Sequence, residues 1–138
     1  MSERTLDPEI LDYIQQHRSG VLATTNRSGS PQQTLIGYRF NGNDIAISTR
    51  KATLKYKNLS VRPQVSLAII DGRNQVIVYG KVKIVRDPEK VLDIHRERKL
   101  LGDRQTDPQA FADALRTEDR VVLLIEPEKT FPTALRQR

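Results

Sequence analysis

The 138 residues carry 23 Lys and Arg against 17 Asp and Glu, a formal charge of +6, and no cysteine. That length suits a single domain, here expected over residues 1–138, and the missing thiols exclude disulfides, thiolate metal sites and thiol catalysis. The positive balance favours an anionic partner without choosing among nucleic acid, a membrane surface and a phosphorylated small molecule.

The opening MSERTLDPEILDYIQQHR lacks the apolar centre of a signal peptide. No run approaches the roughly 18 to 20 apolar residues of a membrane span, so a cytoplasmic protein is expected. Asp7-Pro8 reads as helix cap plus first helical residue, and Ile10, Leu11 and Ile14 recur at helical spacing to about Arg18. From Gly20 the period becomes two: GVLATTN, a turn at RSGS, PQQTLIGYRF, a turn at NGND, then IAIST. Three strands joined by two tight hairpins are expected there.

RKATLKYKNLSV reads as a helix that ends before Pro63, and QVSLAIID resumes strand spacing. VIVYGKVKIVR places Val76, Val78, Gly80, Val82 and Ile84 on one face, with Ile77, Tyr79, Lys81, Lys83 and Val85 on the other. DPEKVLDIHRERKLL and DPQAFADALR both repeat the Asp-Pro helix opening, around a polar break from Gly102 to Thr106, and RVVLLIEP is the last strand. Short connections between the strands favour antiparallel pairing. The expected fold is mainly β: a six-stranded antiparallel barrel with peripheral α-helices plugging its ends.

Neither G-x-G-x-x-G nor G-x-x-x-x-G-K-[ST] occurs, which argues against dinucleotide and P-loop folds. His17 and His95 are far apart and each is expected as a solvated helix residue, so they offer no histidine metal cluster. Glu118-Asp119 reads as loop solvation, and no G-x-S-x-G elbow supports a serine triad. The unusual stretch is STRKATLKYKNLSVRPQVSLAI, where Arg50, Lys51, Lys55, Lys57 and Arg62 cluster without acidic residues. Ser48 and Thr49 end a strand and are expected to cap the following helix, whose free N–H groups favour a phosphate. Lys51 and Lys55, four apart, are expected on one helix face beside that site, with Arg50 at its rim and Lys57 solvated elsewhere.

This run resembles the pyridoxamine 5'-phosphate oxidase-like split-barrel family. There, a strand-end Ser or Thr, a Lys six residues on, an Asn-Leu pair and an x-Pro-x-Val-Ser-Leu strand succeed one another, places filled here by Thr49, Lys55, Asn58, Leu59, Pro63, Val65, Ser66 and Leu67. GVLATTNRSGSPQQTLIGYRFNGNDIAIST resembles the family's first hairpins, and VIVYGKVKIVRDPEKV its long glycine-containing strand and the helix after it. The resemblance covers nearly the whole chain.

It implies an oxidoreductase, a homodimer that binds FMN or the deazaflavin coenzyme F420 between two barrels and moves a hydride to or from a small organic substrate. Thr49 and Lys55 would hold the phosphate, helped by Ser48, Arg50 and Lys51. Gln32, Gln33, Thr34 and Leu35 would pass along the ring and offer backbone groups, and Gln75 and Tyr79 would reach the cofactor held by the partner chain. No later region with the substrate-binding Arg and His of the true oxidases follows TFPTALRQR, so the likeness points to the short reductase-type branch. The protein then supplies binding and orientation, and the ring supplies the hydride chemistry.

Three other readings compete. One is a non-catalytic module that stores or senses flavin. Another is a nucleic-acid-binding barrel, opposed by seven scattered aromatics: Tyr13, Tyr38, Phe40, Tyr56, Tyr79, Phe111 and Phe131. The third is haem binding, for which only the two helix histidines are candidate ligands. Arg96, Arg98, Lys99, Arg104, Arg136 and Arg138 are expected at the surface, where they would either assist a polyanionic cofactor tail or simply be solvated.

Overall fold

The computed structural model describes residues 6–135, so Arg136 and Arg138 lie outside the described residues. Among the described residues are four α-helices: α1 (Pro8–Gln16), α2 (Leu54–Val61), α3 (Pro88–Arg98) and α4 (Pro108–Thr117). Three of them begin as the Asp-Pro pairs predict. Asp7 accepts from the Glu9 N–H, Asp87 from the Lys90 N–H, and Asp107 from the N–H groups of Gln109 and Ala110, each with proline at the start of the helix. The carboxylate thus satisfies donors that have no intrahelical partner.

Seven strands among the described residues form one antiparallel sheet: β1 (Ser19–Thr25), β2 (Pro31–Gly37), β3 (Arg39–Phe40), β4 (Ile45–Arg50), β5 (Gln64–Asp71), β6 (Asn74–Val85) and β7 (Arg120–Phe131). Their order is β2-β1-β5-β6-β7-β4-β3. The count is seven rather than six because the expected strand PQQTLIGYRF changes partner halfway: β2 pairs with β1, whereas β3 pairs with β4. Ile36, Tyr38 and Phe40 all stay buried, so alternation continues unbroken across the change and gives no sign of it. β7 also runs four residues past its expected end, because Lys129 and Phe131 still pair with Tyr79 and Ile77 of β6.

β2 and β3 are the two extremes of the sheet, yet one residue, Tyr38, separates them in sequence. A sheet whose first and last strands are covalently joined in this way must curl until its edges meet, which makes it a split barrel. Tyr38 fixes the corner: its N–H donates to the Arg18 carbonyl and its hydroxyl to the Ile14 carbonyl, each at 2.8 Å.

The barrel interior takes the inward side chains of every long strand, including Leu22, Ile45, Ile47, Leu67, Val76, Val78, Leu123 and Ile125. On β6 the buried set Val76, Val78, Gly80 and Val82 is the face expected from alternation. α1 plugs the barrel with Ile10, Tyr13 and Ile14, each of the two fully buried isoleucines contributing about 1.5 to 3 kcal/mol. A smaller cluster of Ala46, Val91, Leu100 and Val122 seats α3 on the outer face of β4 and β7. At Gly80 the β6–β7 register shifts, and a Cβ there would stand 2.6 Å from the Glu126 carbonyl oxygen, so only glycine allows the two backbones to approach.

Among the described residues no helix is long and apolar enough to cross a membrane.

Candidate functional site

Along β4 the side chains alternate: Ile45 and Ile47 enter the barrel core, and Ala46 lies under α3. Continuing that alternation sends Thr49 inward and Ser48 toward α3. The two hydroxyls therefore do not converge, contrary to expectation. Thr49 is buried and its hydroxyl meets Thr53 Oγ1 at 3.1 Å. Ser48 Oγ instead lies 2.7 Å from His95 Nε2 and 3.4 Å from an Arg120 guanidinium nitrogen.

Neither Ser48 nor Thr49 caps α2. After Arg50 the chain turns through Lys51 and Ala52, and Thr53, in extended backbone, is the cap. The Thr53 hydroxyl donates to the Arg50 carbonyl at 2.9 Å, so its oxygen accepts from the Tyr56 N–H and the Thr49 hydroxyl. Lys51 consequently sits in the turn, its N–H donating to the Asp119 carbonyl, and not on a helical face with Lys55. A threonine able to close its own turn starts the helix four residues later than its helix-forming residues suggest.

Lys55 is half-buried, whereas Lys57 is exposed, as expected. No carboxylate among the described residues pairs with Lys55. Burial first, and the neighbouring Arg120 second, push its ammonium below the ordinary lysine range. A partly desolvated cation beside another cation is unfavourable unless an anion arrives between them.

The carboxylate that Arg120 does pair with is already saturated. Glu118, at the end of α4, receives Arg104, Arg120 and Arg50, the last two at 3.0 and 3.4 Å. Its carboxyl is held down at about 2, first by the Arg104 hydrogen bond, which outweighs the opposing effect of burial, and then by the hydrogen bond from Arg120. The expectation that Glu118 is loop solvation is corrected: three guanidinium groups share it. Arg50, at the expected rim, spends its charge there too. Arg98 is likewise not a free surface cation, since it pairs with Asp44 and donates to the Asp44 and Arg39 carbonyls, clamping the β3–β4 hairpin.

Both histidines depart from the solvated positions expected of them. His95 is fully buried, because helical spacing stacks it over Val91 on the face of α3 that covers β4. Its Nδ1–H donates to the Val91 carbonyl at 2.7 Å, which leaves Nε2 to accept the Ser48 hydroxyl. Burial is the main reason its pKa falls below the ordinary value, with Arg120 and Arg104 adding to it. His17 is half-buried, stacked on Tyr13 and bonded to the Tyr13 carbonyl at 2.6 Å and Asp71 at 3.0 Å. Those bonds raise its pKa.

Of the ring-binding candidates, Gln33, Leu35, Gln75 and Tyr79 lie on the outer face of the sheet. Register carries one apolar row across five strands: Leu35, Val21, Ala68, Ile77 and Phe131. Leu35 and Phe131 are 74% and 60% exposed. The adjacent row is Gln33, Ala23, Ser66, Tyr79 and Lys129, so Gln33 and Tyr79 are brought into one line. Thr34 pairs with Leu22 and points to the opposite face, and Gln75 stands two rows from Tyr79, beside exposed Ile70. Beyond β1, β2 has no strand partner among the described residues, so the backbone groups of its far edge are available.

An open groove of about 290 Å³ lies at the end of that second row, lined by Ala23, Thr24, Thr25, Pro31, Gln64, Val65, Ser66 and Tyr79. Asn58 fastens α2 beside it, donating to Thr24 Oγ1 at 3.1 Å and Asn26 Oδ1 at 3.0 Å. Lys55 lies one turn before Asn58. Sequence reasoning gave Asn58 only a place in a motif and missed Arg120 entirely. The available signal for Arg120 was its position at the mouth of the last strand, next to an acidic pair.

The sequence profile of the pyridoxamine 5'-phosphate oxidase family matches residues 6–134, and the chain belongs to that family. A conserved hypothetical protein from Mycobacterium tuberculosis is similar over 94% of this chain and 86% of its own, at 25% identity and a TM-score of 0.72. An F420 reductase is similar over 86% of this chain and 93% of its own, at 25% identity and a TM-score of 0.65. The heme storage protein HutZ of Vibrio cholerae shares the fold at 22% identity, with a TM-score of 0.69 over 91% of this chain and 93% of that one. No curated protein sequence matches the chain.

Proposed function

We propose that this protein is an oxidoreductase that binds FMN or a deazaflavin of the F420 type between two copies of the chain, and exchanges a hydride with a small organic substrate. The observation that carries the reading is Lys55, half-buried beside Arg120 with no carboxylate to pair with, as a phosphate-binding cation must be. Thr49 and Lys55 would hold the phosphate, with Ser48 acting through Arg120, and Lys51 and Arg50 at the rim. The free edge of β2 from Gln33 to Leu35 offers backbone donors and acceptors to the polar rim of a planar ring. When bound, such a ring supplies the hydride chemistry itself.

The homodimer is supported by the apolar row from Leu35 to Phe131. Two strongly exposed side chains at the ends of an otherwise half-buried apolar row, in register across five strands, form the kind of patch that a partner surface covers. The chain's own outer face is a self-complementary candidate, since two-fold pairing sets the same row against itself. Gln33 and Tyr79 in the next row then stand at the seam between the two copies, with Gln75 further along it.

The test is a fluorescence titration of the cofactor-free protein with FMN and, in parallel, with F420 at two salt concentrations. Saturable binding that weakens with salt supports the reading, and binding of neither overturns it. Preference between the two identifies the branch, because both carry a phosphate for the same cations and differ at the ring and in the groups attached beyond the phosphate.

A second reading, a module that holds flavin without turnover, is favoured by the lining of the groove: apart from Tyr79 it contains no titratable side chain. Binding without turnover against a panel of reduced cofactors and electron acceptors would select it. Haem ligation is disfavoured, since both ring nitrogens of each histidine are already bonded within the chain.

A further inference from the structure

The geometry points to a second small-molecule site, on the helical side of the barrel, for a compact carboxylate with an apolar body. A cavity of about 250 Å³ opens between α3, α4 and the turn that follows β4. It is near the lower end of the range typical of small-ligand pockets, about 300 Å³ and above. Its walls are Pro88, Val91 and Leu92 from α3 and Ala112 and Leu115 from α4. Lys51, Arg86, Arg116 and Arg120 ring it, with Asp119 the one acidic residue among them.

These four cations are not equivalent. Arg120 is committed to Glu118 and Ser48. Arg86 uses Nε to donate to the Tyr56 hydroxyl at 2.9 Å, with its guanidinium 5.6 Å from the centre of that ring. This braces the fork while leaving its two terminal nitrogens without a partner among the described residues. Lys51 and Arg116 make no side-chain hydrogen bond or ion pair among the described residues. The rim therefore presents three spare cations against Asp119 over an apolar wall. A neutral ligand would leave those charges unmatched, and an ion without an apolar body would leave the wall unfilled. A carboxylate whose oxygens take the Arg86 fork while its body lies against Val91 and Leu115 satisfies both.

The site is separate from the proposed cofactor groove. It is built on the outer face of β4 and β7 that α3 covers, whereas the apolar row crosses β2, β1, β5 and β6 to the far end of β7 and the groove is lined by β1, β2, β5 and β6. Lys51 and Arg120 enter both readings, and neither is needed as a variant in the test.

The experiment is methyl NMR of the full chain titrated with phenylacetate, and with 2-phenylethanol as the uncharged counterpart. Phenylacetate should shift the Val91, Leu92, Ala112 and Leu115 methyls saturably, and the alcohol should bind at least tenfold more weakly. Arg86→Ala and Arg116→Ala should each weaken phenylacetate at least fivefold while leaving FMN affinity within twofold. Ala112→Phe, which fills the cavity, should abolish phenylacetate binding, with an unchanged strand spectrum reporting that the barrel is intact. Equal binding of acid and alcohol, or no saturable shift, would overturn the assignment. So would FMN moving the same four methyls, since the cavity would then belong to the cofactor.

Discussion

Ser48 and His95, 47 residues apart, meet through a 2.7 Å hydrogen bond that ties the outer face of β4 to α3. The ring is fully buried and its other nitrogen is spent on the Val91 carbonyl, so His95 is held neutral and in one tautomer. Ser48→Ala should cost about 1 to 3 kcal/mol of stability, because it strands a buried acceptor.

The same burial sets a pH dependence. His95 has a folded pKa below its ordinary 6.5, so its contribution is complete above that value and is lost as pH falls below it, where the unfolded chain takes up a proton that the folded one refuses. His17 has the opposite sign: its folded pKa is raised, so its contribution is complete below 6.5 and is lost as pH rises through the folded value. Urea unfolding between pH 5 and 8 should therefore show stability rising with pH more steeply in His17→Asn than in the parent. An unchanged slope would refute the assignment.

Lys55→Ala should weaken the proposed FMN or F420 binding by about 1 to 3 kcal/mol, roughly 5- to 150-fold. Because the ammonium is partly desolvated beside Arg120 and has no carboxylate partner, the cofactor-free variant should melt no lower than the parent. Lys57→Ala should change affinity less than twofold. Loss of stability together with affinity in Lys55→Ala would mark the lysine as structural.

Leu35→Asp and Ile77→Asp place a charge in the apolar row. Each should convert a dimer to a monomer in sedimentation equilibrium, and with it lose cofactor affinity. Persistence of the dimer in both variants would move the interface off this face.

Gly80→Ala forces a Cβ to within 2.6 Å of a backbone oxygen that flexible side chains cannot relieve. A loss of about 1 to 3 kcal/mol is expected as a lower urea midpoint at unchanged slope.

What was legible in the sequence was whatever local pattern controls. Alternation in VIVYGKVKIVR identified the buried face of β6, and the Asp-Pro pairs located three helix starts. The change of strand partner at Tyr38 was hidden because the buried series Ile36, Tyr38, Phe40 continues across it. His95 was misplaced because its burial depends on which strand α3 covers, and Glu118 because Arg50 and Arg104, which join its sequence neighbour Arg120 on the carboxylate, are brought there only by the fold. The cationic cluster was visible, but its division was not: Thr53, by closing its own turn, separates Lys51 from the helix that carries Lys55.

The single residue between β2 and β3 also bears on how the barrel forms. Closing a ring of strands ordinarily requires its two ends to find each other across a long loop, at an entropic cost that grows with the loop. Here the ends are neighbours in the chain, so closure adds almost nothing to the search. The costly step is instead the docking of β7 on β4, which joins Ile45 to Ile125 across most of the sequence. That pairing should set the folding rate, and the Tyr38 corner should form early and independently of it.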